Sequence, residues 1–523
     1  MLRRVYRPSI HVNHLTPAIR SVSGFLVTTI EKEISLISPR RFRFYGEEGD
    51  LQSVGWTGNK KERLWRYNQH YFDDLNGKNP LNRRDWHRDL LSDWLLVNSY
   101  AGGVGWEPYP LSLRVVNWIK WDLAEGELSD DCRESLYSQG LTLEKNIEYH
   151  ILGNHLFANA KALIFLGCYF EGLDAKRWLD KGSKIIIEEL KVQVLCDGGH
   201  YELSPMYHCI FLEDILDLIN ILSAYQLINS EKTLVSLKKV IPSMLTWMRE
   251  MTFDDGAVSC FNDSATNIAP NPTDLEKYAA KLGLHSLAKA RLTEIHYKHL
   301  VGSGYIAVTR GDVKLVLDVA RLGPDYLLAH AHADNLAFEM SSGKQRIFVN
   351  SGTSCYGTSD RRSFERSTKA HNTVEVDQDS SSEVWETFRV ARRAYPFGLK
   401  IDESDGGLSV ECSHNGYKRL HGAPIHTRNW IIEKEKVTVR DTVTGGFRSA
   451  ISRFIFHPGI LITQKDETFF SLTSHDGVDL LLCIKRGTAK LVNWRTTTEF
   501  GFLSDSHCLE IALVNGESRV EIV

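Results

Sequence analysis

The sequence predicts a multidomain chain, helical first and antiparallel β afterwards, and three observations carry that prediction. Its 523 residues are about three times an ordinary single domain. From about Leu64 to His299 apolar residues recur at helical spacing, as in Ile215, Leu218, Ile219 and Leu222, or Leu156, Ala160, Leu163 and Gly167, close to the i, i+3, i+4, i+7 template. After Gly302 the period drops to two, with Val313, Leu315, Leu317 and Val319 alternating with Lys314, Val316 and Asp318. Helices followed by strands imply segregated layers and exclude a parallel βαβ fold.

Taken in order, residues 1–60 form an N-terminal extension, 61–299 the helical domain and 300–523 the β domain. The first fourteen residues begin with basic side chains, but Pro8, His11, Asn13 and His14 stand where a signal peptide needs about 7–15 apolar residues. Nine cysteines with no CxxC pair fit reduced thiols, so the cytoplasm is the expected compartment. In the helical domain, Asn154 and His155 stand at the entrance of an apolar-striped helix, with Asn154 as its expected N-cap. In DGGHYELSPMYH (197–208), Ser204 at N-cap and Pro205 at N1 announce a helix and place Tyr207 at about N3, with His208 after it. The positive field of a helix start makes the Tyr207 hydroxyl a better proton carrier. In the β domain, Gly311-Asp312 supplies a turn, WIIEKEKVTVRDTV (430–443) reads as strand, and Asn515-Gly516 separates two strands as a hairpin signature.

Composition narrows the function classes. Hydrophobic residues at 42% and charged ones at 24% are ordinary globular values, and a net charge of −4 gives no footprint for nucleic acid or a polybasic membrane surface. No run approaches the roughly 18 apolar residues of a membrane span. GxSxG, GxxxxGK[ST] and HExxH are absent, which removes sequence support for α/β-hydrolase, P-loop and zincin chemistry. What remains is local. HAHAD (330–334) follows a strand-like run and, read as strand, projects His330, His332 and Asp334 from one face, a set suited to a divalent metal such as zinc or to a catalytic His beside a metal His. KAHNTVEVD adds His371, and RRSFERSTK adds Arg361, Arg362, Arg366 and Lys369 against Glu365 alone, cations able to meet carboxylates on a sugar chain.

These segments together resemble the heparinase II/III-like family of bacterial polysaccharide lyases. The likeness runs through LWRYNQHYFDDL (64–75), GWEPYPLSLRVVNWIKW (105–121), GNHLFANAKAL (153–163), DGGHYELSPMYH (197–208), FNDSA (261–265), HAHADNLAFE (330–339), AHNTVEVD (370–377) and SSEVWETFRVARRA (381–394). It implies an N-terminal incomplete (α/α) toroid followed by a C-terminal antiparallel β-sandwich. It also implies β-elimination at a uronic acid, in which the C5 proton is removed and the C4–O bond breaks. Carried over by motif, Tyr207 is similar to the proton-transferring Tyr, Asn154 with His155 beside it to the group that neutralises the substrate carboxylate, and His330 to the catalytic His. His200 lines the same approach, and Arg114, His208, Glu202, Arg361 and Arg366 join as substrate contacts. The family's structural zinc would fall to His332 and His371, but Asn350 in FVNSGT stands where the family has Asp, and a neutral amide is the poorer ligand. No organic cofactor is expected.

The expected function is therefore a lyase acting on an acidic polysaccharide, with bacterial surface-polysaccharide metabolism as its expected setting and the periplasm as the alternative compartment that the family implies. Two other classes compete. A polysaccharide-binding or assembly protein needs the same fold without the chemistry, and a glycoside hydrolase needs paired carboxylates, for which Glu202 and Asp263 are the candidates.

Overall fold

The computed structural model describes residues 16–98, 102–126, 128–287, 294–404, 406–475, 477–497 and 499–523. The signal-peptide reading rests on residues 1–14, which lie outside them. The chain divides into two compact units, one of residues 1–192, 213–240 and 277–284, the other of 193–212, 241–276 and 285–523. The second unit thus takes two segments from the helical half of the sequence.

The first unit is built on helices including Arg63–Tyr71, Arg84–Val97, Pro108–Glu125, Asp130–Lys145 and Gly153–Tyr169. Local chemistry sets their ends. Ser129 caps Asp130–Lys145 by accepting from the Cys132 N–H, and Gly126, at φ 69°, ends Pro108–Glu125 in the left-handed conformation glycine favours. Gly153–Tyr169 departs from the one-sided stripe expected of it, because Leu156 to Tyr169 are buried throughout. Gly167 belongs to that burial: a Cβ there would lie 2.7 Å from the Ala175 carbonyl oxygen. Asn154 is not the N-cap. Leu152, at φ 65°, occupies that position without a side-chain cap, and Asn154 sits inside the first turn. Two buried lysines are paired with one carboxylate, Lys120 and Lys161 each lying 2.5 Å from Asp217.

The second unit is antiparallel β. One sheet runs, by hydrogen-bonded neighbour, through Pro396–Ser404, Gly407–His414, Ile425–Glu433, Val437–Thr444, Glu517–Ile522, Asp479–Arg486, Phe469–Thr473 and Leu461–Gln464. A five-stranded sheet holds Ile295–Leu300, Tyr305–Arg310, Val313–Asp318, Phe338–Ser342 and Gln345–Phe348, and a four-stranded one holds Thr488–Thr496, Ser504–Ala512, Ala450–Ile455 and Val374–Val376. One apolar core joins residues of all three, among them Leu315, Phe338, Trp430, Phe454, Leu509 and Val520, as a sandwich requires. Strand Ile425–Glu433 alternates between buried and half-buried positions along its length. Val313–Asp318 is buried on both faces; Lys314 is tolerated there because its Nζ donates to the Arg249 carbonyl at 3.1 Å.

Two local readings are corrected. The Asn515-Gly516 turn forms, both residues having positive φ, but the strands it joins enter different sheets and meet only at the Val514–Glu517 bridge. Tertiary partners outcompete the local hairpin, since Glu517–Ile522 pairs with Val437–Thr444 on one side and Asp479–Arg486 on the other. HAHAD is not a strand either. It is an irregular approach to Phe338–Ser342, with the Ala333 N–H donating to the Arg366 carbonyl and Leu336 at φ 60°.

Candidate active site

The helix start read from the sequence is present in the second unit. Ser204 Oγ accepts from the Tyr207 N–H at 3.2 Å, its carbonyl accepts from the His208 N–H at 2.9 Å, and helix Pro205–Tyr225 follows. Ser204 Oγ also donates to the Asp263 carbonyl at 2.6 Å, tying this helix start to the FNDSA segment. Tyr207 is 9% exposed, and its ring lies over the His330 ring with centroids 4.0 Å apart. Its hydroxyl is hydrogen-bonded to that of Tyr356 at 3.1 Å.

Asp263 is the hub. Its Oδ2 lies 2.9 Å from Nδ1 of His330, its Oδ1 lies 2.8 Å from Nε2 of His332, and Arg362 grips both oxygens, with Nη2 2.7 Å from Oδ2. Burial alone raises a carboxyl pKa, but the Arg362 guanidinium and the two histidine N–H donors overturn that and hold Asp263 well below the usual carboxylate range. Burial lowers His332 to about 4, so near neutral pH it is an uncharged donor. On its other side, Nε2 of His330 is 3.6 Å from the buried Glu202. His330 and His332 share one carboxylate, although the strand expected to align them is absent, and Asp334 turns away to accept from the Asn262 N–H at 3.2 Å.

The residues expected to hold zinc do not converge on one point. His332 Nδ1 faces His371 Nε2 at 3.3 Å, yet Asn350 Oδ1 accepts from the opposite nitrogen of that ring, Nδ1, at 3.1 Å, and Asn350 Nδ2 donates to the Cys260 carbonyl at 3.2 Å. Nε2 of His332 is spent on Asp263. Structural zinc needs four ligands around one centre, and this set does not fit it.

The other candidates are placed as follows. His200 is buried with Nε2 3.1 Å from Gln193 Oε1, and burial lowers its pKa well below the ordinary value. His208 is buried behind the helix start, its Nε2 donating to the Met244 carbonyl at 3.1 Å. Arg366 is 1% exposed and spends its guanidinium on the carbonyls of Ala331, Trp385 and Glu386. Arg361 pairs with Glu365 at 2.7 Å and stays partly exposed. In the first unit, Arg114 is buried, donates to Gln139 Oε1 at 3.0 Å and lies 4.1 Å over the Trp94 ring. In that unit too, Asn154 is half-buried at its helix start and His155 stacks on Tyr109 at 4.2 Å.

Sequence reasoning missed Tyr356 and the linking roles of Asp263 and Arg362. Arg362 was visible as one cation among four, and Asp263 as a bare carboxylate. Tyr356 had no signal, lying in an irregular loop whose Gly352 (φ 75°) has no room for a Cβ, which would fall 2.2 Å from the Thr497 carbonyl oxygen.

Two family models match the chain, "Heparinase II/III N-terminus" over residues 131–280 and "Heparinase II/III-like, C-terminal" over 294–508. Among curated proteins it is similar to a heparin-sulfate lyase of Bacteroides stercoris, 23% identical over 354 residues, covering 64% of this chain and 50% of that protein. It is also similar to FtsZ-localized protein C of Caulobacter vibrioides, 24% identical over 437 residues, covering 81% and 71%. The match thus spans about half the length of the first relative. Among solved structures, heparinase III aligns with a TM-score of 0.72 at 17% identity, covering 92% of this chain and 79% of that one. The fold class is therefore the expected one, helical toroid followed by antiparallel sandwich.

Proposed function

Because the chain belongs to the heparinase II/III-like family, we propose that it is a polysaccharide lyase cleaving a uronic-acid-containing polysaccharide by β-elimination. Beyond the family, one observation carries this reading. The phenol of Tyr207 lies against the imidazole of His330, and a buried, ionised carboxylate orients that imidazole from behind.

Elimination needs a base for the C5 proton and an acid for the departing oxygen. In the proposed reaction His330 keeps its Nδ1–H on Asp263, which presents the Nε2 lone pair to the C5 proton and stabilises the imidazolium that forms. The C5–H electron pair becomes the C4–C5 double bond, the C4–O pair leaves with the oxygen, and that oxygen takes the Tyr207 proton. Tyr356, hydrogen-bonded to Tyr207, steadies the resulting phenolate, and the proton on His330 returns to it after product leaves. The carboxylate-neutralising role that the resemblance gives Asn154 is a further part of the proposal, tested by the turnover of Asn154→Ala.

The hydrolase reading loses support at Asp263, whose two oxygens are already committed to Arg362, His330 and His332. The binding or assembly reading is kept as the alternative because one relative matched over most of both chains, FtsZ-localized protein C, is named for its location and not for a lyase activity. A screen of uronic-acid polysaccharides by near-ultraviolet absorbance separates the readings. A lyase yields unsaturated ends that Tyr207→Phe abolishes; binding without any such product would favour the second reading.

A further inference from the structure

Beside His330 stands a short hairpin, Val384–Trp385 paired with Arg389–Val390. Its tip turns through Glu386, at φ 48°. Two buried guanidiniums buckle this tip to the site. Arg362 donates from Nε at 3.2 Å and from Nη2 at 3.1 Å to the Thr387 carbonyl, and the same Nη2 holds Asp263. Arg366 donates from Nη1 to the Trp385 and Glu386 carbonyls, at 3.3 Å each, and from Nε and Nη2 to the carbonyl of Ala331, the residue after His330. Burying two guanidiniums is costly unless their hydrogen bonds are used. Here those bonds fix the hairpin tip to the histidine segment.

What the tip carries is exposed. Phe388 is 42% exposed, with its ring centre 6.0 Å from that of His330 and 5.8 Å from that of Tyr356. Trp385 is 44% exposed, and the guanidinium carbon of Arg389 lies 4.9 Å from its ring centre. Arg389 is itself exposed, its Nε 3.2 Å from Glu386. Such a surface pair contributes little, so an incoming anion displaces Glu386 at small cost. An aromatic face with a cation over it, on a hairpin whose Phe388 neighbours His330, has the chemistry of a sugar subsite: the indole takes the C–H face of a pyranose and the guanidinium its anionic substituent.

We propose that Trp385 and Arg389 form a binding subsite for an acidic pyranose of the polymer, adjacent to the reacting residues. This rests on the reading above that the polymer is acidic, and it names the side chains that select for acidity. The anionic substituent is a carboxylate or a sulfate.

The test is affinity electrophoresis of the full-length chain carrying Tyr207→Phe, through gels containing alginate (uronate only), heparan sulfate (uronate and sulfate) or dextran (neutral). Trp385→Ala is expected to weaken retardation by the acidic polymers about tenfold and Trp385→Phe to restore most of it. Arg389→Met is expected to weaken the acidic polymers severalfold without changing behaviour in dextran. A response to heparan sulfate but not alginate assigns Arg389 to sulfate, and the converse to carboxylate. Retardation unchanged by Trp385→Ala, or no retardation of the parent in either acidic gel, overturns the subsite. If binding depends on Trp385 but the chain with Tyr207 intact yields no unsaturated product, the lyase reading fails and the subsite stands.

Discussion

Nδ1 of His330 lies 2.9 Å from Oδ2 of Asp263, and the guanidinium of Arg362 grips both oxygens of the same carboxylate. The acid that orients the imidazole is thus also the counter-ion of a buried arginine. Asp263→Asn is expected to destabilise the fold by about 3–5 kcal/mol, because Arg362 is left as an unpaired buried charge. Denaturant unfolding of the variant measures this, and a loss below about 1 kcal/mol would show that Arg362 finds another partner.

Tyr207→Phe removes one hydroxyl at a helix start whose cap is made by Ser204 and not by the phenol. Turnover is expected to fall by about 10²–10⁴. Stability should change by no more than about 1 kcal/mol. Initial rates on the polymer identified by the absorbance screen, with a thermal melt of the same sample, check both, and near-parental turnover would remove Tyr207 from the chemistry.

The protein is expected to hold no stoichiometric zinc at His332 and His371, since Asn350 bonds the nitrogen of His371 that points away from His332. Elemental analysis after dialysis, paired with melts with and without chelator, decides the matter. One zinc per chain retained, with a melt lowered by chelator, would mean that the histidine rings reorient in solution.

Acid should destabilise the fold through its buried neutral histidines. Burial lowers His208 to about 4, and burial with the nearby Arg114 lowers His70 to about 3. Partners fix His70 in its neutral form, with Trp94 Nε1–H donating to Nδ1 at 3.0 Å and Nε2–H donating to the Trp56 carbonyl at 2.9 Å. Both folded values lie below the unfolded value of about 6.5, so the unfolded chain binds the extra protons. Stability is therefore complete above about pH 6.5 and is lost as pH falls toward 4, by an amount on the order of 3 kcal/mol per histidine. His208→Asn keeps a donor for Met244 and should flatten the slope of unfolding free energy against pH; an unaltered slope would show that His208 is already charged in the fold.

The sequence by itself determined the elements and their order. The switch of apolar period from 3.6 to two is a local property of each segment, and so is the helix start at Ser204-Pro205, where a hydroxyl and a fixed φ act within three residues. Two-residue spacing did not by itself bring His330 and His332 together, since their segment is not extended in the fold; both meet at Asp263. Tertiary structure decided what these groups face. Asp263 meets His330 and Arg362 across 67 and 99 residues of chain, distances over which no spacing rule operates. HAHAD lost its strand because its backbone found a partner in Arg366, and the Asn515-Gly516 hairpin opened because each strand had better neighbours elsewhere. Arg366 became an interior clamp on two loops, although in sequence it has the same character as the partly exposed Arg361 five residues earlier. A side chain's role follows from the field and hydrogen-bond partners around it, and those come from segments that only folding brings together.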